Sequence, residues 1–249
     1  MNLPIRNKPL KSWKTSGDCH IFQVLNRRSN SYLIVAPSGN ILVDTGKESS
    51  FSKLRQNIEN LNSNNPGIDK LILTHAHFDH CENAFVLQKQ ENCQIYISEA
   101  EAEYAVAGCT PMPKGTILPT RFIIGLGKLL KLKSIPFKPF VPDVIVKADT
   151  DLSSSGVNIR LINTPGHSAG SLSVIIDNEI AIAGDAVFGI FFNSVFPPFG
   201  DNVKEVVNSW GKLLQTGCHT FLPGHGKAIS RELLQRELDH FSRKLKKVN

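Results

Sequence analysis

The sequence predicts an α/β fold in which two β-sheets pack face to face and helices cover their outer surfaces. Three observations carry that reading. Short apolar runs bounded by turn residues recur, and twice along the chain segments with helical periodicity follow them. The chain has 249 residues with an apolar share of 41%, which suits a sizeable core and is too high for a disordered chain. Four motifs rich in histidine or aspartate each end a strand-like run, and strand ends in packed sheets can converge on one edge. Residues 1–249 read as a single domain, with 106–142 as an insert between two halves.

Taken in order, CHIFQVLN, SYLIVAP and NILVDTG read as consecutive strands, with Pro37–Asn40 as a turn. A helix is expected from Ser50, because Phe51, Leu54, Ile58 and Leu61 fall on one face and Asn-Pro-Gly stands near its end. KLILTH is the next strand, HCENAFVLQKQ a short helix, and QIYIS a strand. Ser98 with Glu101 reads as a capping box opening a helix over 99–107. The segment 106–142 interrupts the pattern: Pro and Gly flank an apolar and basic middle, RFIIGLGKLLKLKS. VNIRLINT, SLSVIID and EIAIAGD then form a meander, with turns at Pro165–Gly166 and Asp177–Asn178. A helix over 202–215, the strand and loop CHTFLPGHG, and a C-terminal helix ending in KLKK complete the chain, the lysines suiting the negative end of the helix dipole.

Composition narrows the function classes. The N-terminus MNLPIRNKPLKSW has no signal-like apolar run, and no stretch has the length of a membrane span, so a cytoplasmic protein is expected. Cys19, Cys81, Cys93, Cys109 and Cys218 are odd in number and lack CxxC spacing, which argues against a disulfide framework or a zinc knuckle. The net charge is +6, and residues 106–142 supply all of it through Lys114, Arg121, Lys128, Lys131, Lys133 and Lys138, with no Asp or Glu. The rest of the chain is balanced, so no nucleic-acid partner is expected.

The sharpest motif is Thr74-His-Ala-His-Phe-Asp-His80, with four ligand-type side chains within six residues. Alternate residues of an extended loop point the same way, so His75 and His77 can grip one metal while Asp79 and His80 turn toward a second. Three further motifs follow: Thr164-Pro-Gly-His167, Gly184-Asp185-Ala and Pro223-Gly-His225-Gly. An acid closing the apolar run IAIAGD is costly unless a partner offsets it, and a metal pair is such a partner; a helix N-cap is the alternative. Five of the eight histidines lie in these motifs; His20, His219 and His240 read as structural or surface residues.

HxHxDH, TPGH, GDA and PGHG, in that order, resemble the metallo-β-lactamase superfamily, and Leu42-Val-Asp44-Thr-Gly resembles its early aspartate motif. The resemblance spans about residues 20–230. It implies an αββα four-layer sandwich with the site at one edge. It also implies that His75, His77 and His167 hold one metal, that Asp79, His80 and His225 hold a second, and that Asp185 bridges the two. Asp44 would lie beneath the site and organise the loop carrying His75. Asp79 and Asp185 are the acids assigned to the catalytic centre. Two divalent ions are implied, zinc foremost, with iron and manganese also suited to imidazole and carboxylate.

Two such ions can share a hydroxide and polarise a carbonyl or phosphoryl oxygen, so a small-molecule ester, thioester or lactone is the expected substrate. The β-lactamases of this fold lack an aspartate equivalent to Asp185, so the resemblance points instead to lactonases and glyoxalase II-type thioesterases. After GDA, however, the chain reads VFGIFFNSVFPPFGD rather than the Gly-Cys-Gly-Arg of glutathione-thioester enzymes, so glutathione is not the implied carrier. The alternatives are a mononuclear iron dioxygenase acting on a persulfide and a phosphodiesterase. Cys81, next to His80, reads as a packed thiol rather than a nucleophile. In the insert, Phe122, Leu126, Lys128 and Leu129 are candidate substrate contacts, with Phe188 and Phe192 as a second pocket wall. The same segment suits peripheral membrane contact through 120–140, a homodimer interface, or plain helix packing.

Overall fold

The computed structural model describes residues 10–246 except 27, 38, 62–66, 133 and 154–156. Part of the Pro37–Asn40 turn, the Asn65-Pro66 end of the first helix, Lys133 and the last lysine of KLKK lie outside the described residues.

The chain opens with β1 (Ser12–Lys14), β2 (His20–Asn26), β3 (Asn30–Ala36) and β4 (Gly39–Val43), an antiparallel meander. Helix α1 (Phe51–Leu61) buries Leu54 and Ile58, one turn apart, and leads to β5 (Lys70–Ile72). The single helix expected over 80–90 is two: α2 (Phe78–Cys81) and α3 (Ala84–Glu91), the latter closed by Asn92 in the left-handed region. Next come β6 (Gln94–Ser98) and α4 (Glu99–Ala107), which stops at Gly108 with φ +65°. The insert forms a small hairpin, β7 (Cys109–Pro111) with β8 (Ser134–Pro136), around α5 (Leu118–Leu129). Pro119 suits the first turn of α5, where its missing N–H costs nothing.

The second half contains β9 (Val144–Val146), β10 (Thr150–Asp151), β11 (Ile159–Asn163), β12 (Leu172–Ile176) and β13 (Ile180–Gly189). Asp177 and Asn178, at the expected turn, both have positive φ, which Asp and Asn tolerate. Helix α6 (Val203–Gln215) is capped by Asn202, whose side chain accepts from the N–H groups of Lys204 and Glu205 at 3.1 and 3.3 Å. Strands β14 (Thr220–Gly226) and β15 (Ile229–Ser230) precede α7 (Arg231–Lys246), whose last turn carries Arg243, Lys244 and Lys246.

The strands form a seven-stranded sheet, β1-β2-β3-β4-β5-β6-β9, and a six-stranded sheet, β10-β11-β12-β13-β14-β15. Both faces of each sheet are buried, so central strands are apolar on both sides. In β3, Tyr32 and Ile34 face the second sheet, where they join Leu161, Val174, Ile182 and Leu222 in a common core. Leu33 of the same strand faces outward and packs with Leu54, Ile58 and Leu87 of α1 and α3. On the far side, Ile175, Ala181 and Phe221 meet Val206, Trp210 and Leu213 of α6 and Leu234 of α7. The result is the four-layer αββα sandwich that the motifs implied. Among the described residues, no helix is long and apolar enough to cross a membrane.

Candidate metal centre

The site lies where both sheets deliver chain to one edge. The loop after β5 carries Thr74–His77 and runs into α2, whose first turn holds Asp79 and His80. The loop between β11 and β12 carries His167. Asp185 sits in the middle of β13, rather than at its end as the sequence suggested, and His225 is the last residue but one of β14. The register of β13 against β14 shifts on either side of Gly184, and such shifts re-aim side chains. Gly184 has φ +51°, and a Cβ there would lie 2.8 Å from Thr74 Oγ1. At Gly224 a Cβ would meet Asp185 Oδ1 at 2.1 Å, so only glycine allows the backbone this close to the cluster.

All seven side chains singled out by the motifs converge. The donor atoms of His75, His77 and His167 lie within 4.8 Å of one another, as do those of Asp79, His80 and His225, and of His75, His80 and Asp185. Asp185 stands between the two histidine groups, with Oδ2 3.4 Å from His167 Nε2 and 3.3 Å from His225 Nε2, and Oδ1 3.5 Å from His80 Nε2.

Hydrogen bonds fix the tautomers. Nδ1 of His80 donates to Asp44 Oδ2 at 2.8 Å, Nδ1 of His167 to the Phe199 carbonyl at 2.9 Å, and Nδ1 of His225 to the Arg28 carbonyl at 2.5 Å. Each of these rings, when neutral, therefore presents the lone pair of Nε2 to the centre. Asp44 accepts from the Thr74 N–H and hydroxyl, both at 2.8 Å, and the Thr74 oxygen is 3.0 Å from His75 Nδ1. With its hydrogen given to Asp44, that hydroxyl accepts from His75 and turns His75 Nε2 inward as well. Asp44 thus ties down the loop before His75 and orients His80 in addition.

The donor set fits cations. His75 Nε2 and Asp185 Oδ1 are buried without a hydrogen-bond partner. Nε2 of His80 faces Nε2 of His225 at 3.3 Å, and His77 Nδ1 faces His167 Nε2 at 2.9 Å. Lone pairs held this close repel unless a proton or a metal lies between them. Burial and the neighbouring imidazoles hold His75 and His77 well below the usual histidine value, so both stay neutral donors. Burial works against charge on His80, yet Asp185 and Asp44 lift it to about 10. His225 is raised against its burial by Asp185, and the facing imidazoles of His225, His80 and His167 keep Asp185 ionised despite complete burial.

A residue that sequence reading assigned elsewhere supports the first trio. Ser98 makes no capping bond to α4, and its hydroxyl is buried without a partner, so the capping box does not form. The Glu101 carboxylate turns to the metal loops instead, accepting the Ala76 N–H at 2.9 Å and the Gly170 N–H at 3.2 Å. It ties the backbone between His75 and His77 to the loop carrying His167. Asn30 and Tyr32 hold the His225 loop through the Pro223 carbonyl, each at 2.8 Å, and Trp210 Nε1 holds Ala186 at 2.7 Å. Cys81 is fully buried and its thiol is pushed far up by that burial, so it is packed behind the loop.

A cavity of about 440 Å³ opens over His77, Asp79, His167, Asp185 and His225. Its other walls are largely apolar: Met112, Ile123, Ile124 and Ile135 from the insert, with Phe188, Ile190 and Phe199 opposite. Of the residues expected to touch substrate, Phe188 lines it, stacked on His225 at 5.0 Å. Phe122, Leu126, Lys128, Leu129 and Phe192 do not line it. For the α5 positions the phase of the helix is the reason: Thr120, Ile124 and Gly127 face inward and Ile123 reaches the cavity edge, which leaves Phe122, Leu126, Lys128 and Leu129 on the outer face. Arg28 stands at the rim, with Nε 3.5 Å from Asp79 Oδ2.

Comparison with known proteins agrees with the geometry. A probable metallo-hydrolase of Methanocaldococcus jannaschii is 29% identical over 206 residues, covering 82% of this chain and 90% of the relative. The hydroxyacylglutathione hydrolase GloC of Haemophilus influenzae is 24% identical over 194 residues, covering 74% and 79%. A solved metallo-β-lactamase with a HARLDQ motif from Cronobacter sakazakii has the same fold, with a TM-score of 0.68, 22% identity, and coverage of 96% and 94%. The profile of the metallo-β-lactamase superfamily matches residues 25–225, and the chain belongs to that superfamily.

Proposed function

We propose that this metallo-hydrolase holds two divalent cations, zinc foremost, and cleaves an ester, thioester or lactone bond in an apolar small molecule. One observation supports this most directly: the buried Asp185 carboxylate reaches both histidine groups. His75, His77 and His167 would hold one cation, Asp79, His80 and His225 the other, with Asp185 shared. Cations bound there supply Lewis acidity and water of lowered pKa, the requirements of hydrolysis at neutral pH. The chain's own groups do the rest. Asp44, Thr74 and the carbonyls of Phe199 and Arg28 fix the imidazole orientations. Met112, Ile123, Ile124 and Phe188 bind the apolar part of the substrate and exclude bulk water around the reacting bond. Arg28 at the rim suits an anionic group on the substrate.

Activity assays on metal-loaded protein with acyl thioesters, lactones and phosphodiesters test the reading. Cleavage of a thioester or lactone, abolished by chelator and restored by zinc, is expected. Turnover only of a phosphodiester, or oxygen-dependent turnover with one iron per chain, would overturn it.

A further inference from the structure

The outer face of α5 is apolar and uncovered. Leu118, Phe122 and Leu129 are 80%, 76% and 77% exposed, and Leu126 and Leu130 are exposed beside them. Leu118, Phe122, Leu126 and Leu129 recur at helical spacing, so they form one stripe. Arg121 and Lys128, two turns apart, run along the border of that stripe, and Lys131 follows the helix; all three are exposed. Among the described residues, no ion pair involves them or Lys114. The segment 187–200 adjoins this helix, because Thr120 Oγ1 donates to the Pro198 carbonyl at 2.6 Å and Gly115 bridges Phe199. It has no charged residue, and it adds Ile190, Phe191 and Phe192, the last 93% exposed.

We infer that this face seats on an anionic lipid bilayer, with the α5 stripe and Phe192 entering the interface and the flanking cations meeting headgroup phosphates. The chemistry matches an amphipathic helix lying in the interface plane: apolar residues outward and bordering Lys and Arg that can snorkel. Charge decides against a second copy of the chain. A two-fold contact sets a patch against itself, and this one would oppose Arg121, Lys128 and Lys131 to their own images with no acid in 106–142 to offset them. The cavity shares the surface, since Ile123 and Ile190 both line it and are exposed. Docking therefore turns the mouth of the metal site toward lipid, where an apolar substrate would be concentrated.

The test is co-sedimentation of the full chain with phosphatidylcholine vesicles, with and without phosphatidylglycerol. It is read without turnover, so it stands or falls apart from the hydrolase reading. Wild type should pellet with the anionic vesicles and release as salt rises. Lys128→Gln with Lys131→Gln should weaken partitioning by about 25-fold at low salt, taking roughly fivefold per cation. Phe122→Glu with Leu129→Glu should abolish binding while leaving metal content unchanged. The lysine variant alters only exposed side chains, so it decides the matter if the glutamate variant does not fold. Failure of wild type to bind anionic vesicles, equal binding to neutral ones, or a dimer that the glutamate variant converts to monomer would overturn the inference.

Discussion

Asp44→Asn isolates one hydrogen-bond direction in the site. Asp44 has φ +58°, a left-handed conformation that Asn also adopts, so the backbone is not strained by the change. The new amide oxygen keeps the Thr74 N–H. The amide NH₂ then replaces the oxygen that accepts from the Thr74 hydroxyl and from His80 Nδ1, both at 2.8 Å. The Thr74 oxygen has two lone pairs and can accept from the new amide while still accepting from His75. His80 has no such freedom: Nδ1 must become the acceptor, which moves the proton to Nε2 and removes the lone pair aimed at the centre. Supporting residues of this kind are worth about 10–100-fold in metal affinity, or roughly 1.4–2.8 kcal/mol. The loss should fall on the cation proposed for Asp79, His80 and His225, and spare the one proposed for His75, His77 and His167. Chelator-competition titration resolves two affinities, and circular dichroism confirms the fold. Equal weakening of both sites, no weakening, or a crystal structure with Asp44 on a metal would refute the reasoning.

Glu101→Gln leaves one of the Ala76 and Gly170 N–H groups facing an amide NH₂. It should cost about 1–3 kcal/mol in urea unfolding and loosen the His75, His77 and His167 site; unchanged affinity there would contradict its tying role. Loading zinc at neutral pH should release about one to two protons, because His80 is held at about 10 and His225 is raised while both must be neutral to ligate; an indicator dye in weak buffer reads this, and no release would contradict it. The sign is separate for folding. Groups raised above their unfolded value stabilise the cation-free chain fully below about pH 6.5, and that contribution fades as pH rises through the folded value. His75 and His77 are depressed and act oppositely, losing stability as pH falls below about 6.5, which urea titrations across pH resolve. Cys81 in the folded protein should react with iodoacetamide far more slowly than in urea, and fast labelling would refute its burial.

The four ligand motifs were legible because each couples rare residue types to a turn, and the buried strands because sheets covered on both faces demand continuous apolar runs. Strands β1, β7, β8, β9, β10 and β15 were not legible, since runs of two or three residues show no period unless a longer apolar segment carries them, as KLILTH does for β5. Glu101 was misread because Ser-x-x-Glu is a capping pattern in sequence, and only the fold shows that two backbone N–H groups elsewhere claim the carboxylate. Which α5 residues line the cavity was not legible, because Phe122, Ile123, Ile124, Leu126 and Leu129 crowd one short stretch and their phase comes only from the fold, which puts Ile123 and Ile124 in the cavity wall and Phe122 and Leu126 outside it.

Metal stoichiometry tests the central claim most directly. Protein purified without chelator and supplied with excess zinc should hold two ions per chain by elemental analysis, and Asp185→Ala should lose metal at both positions, because it removes the carboxylate that separates the two histidine groups. One ion per chain under saturating zinc, or two retained by Asp185→Ala, would contradict the account.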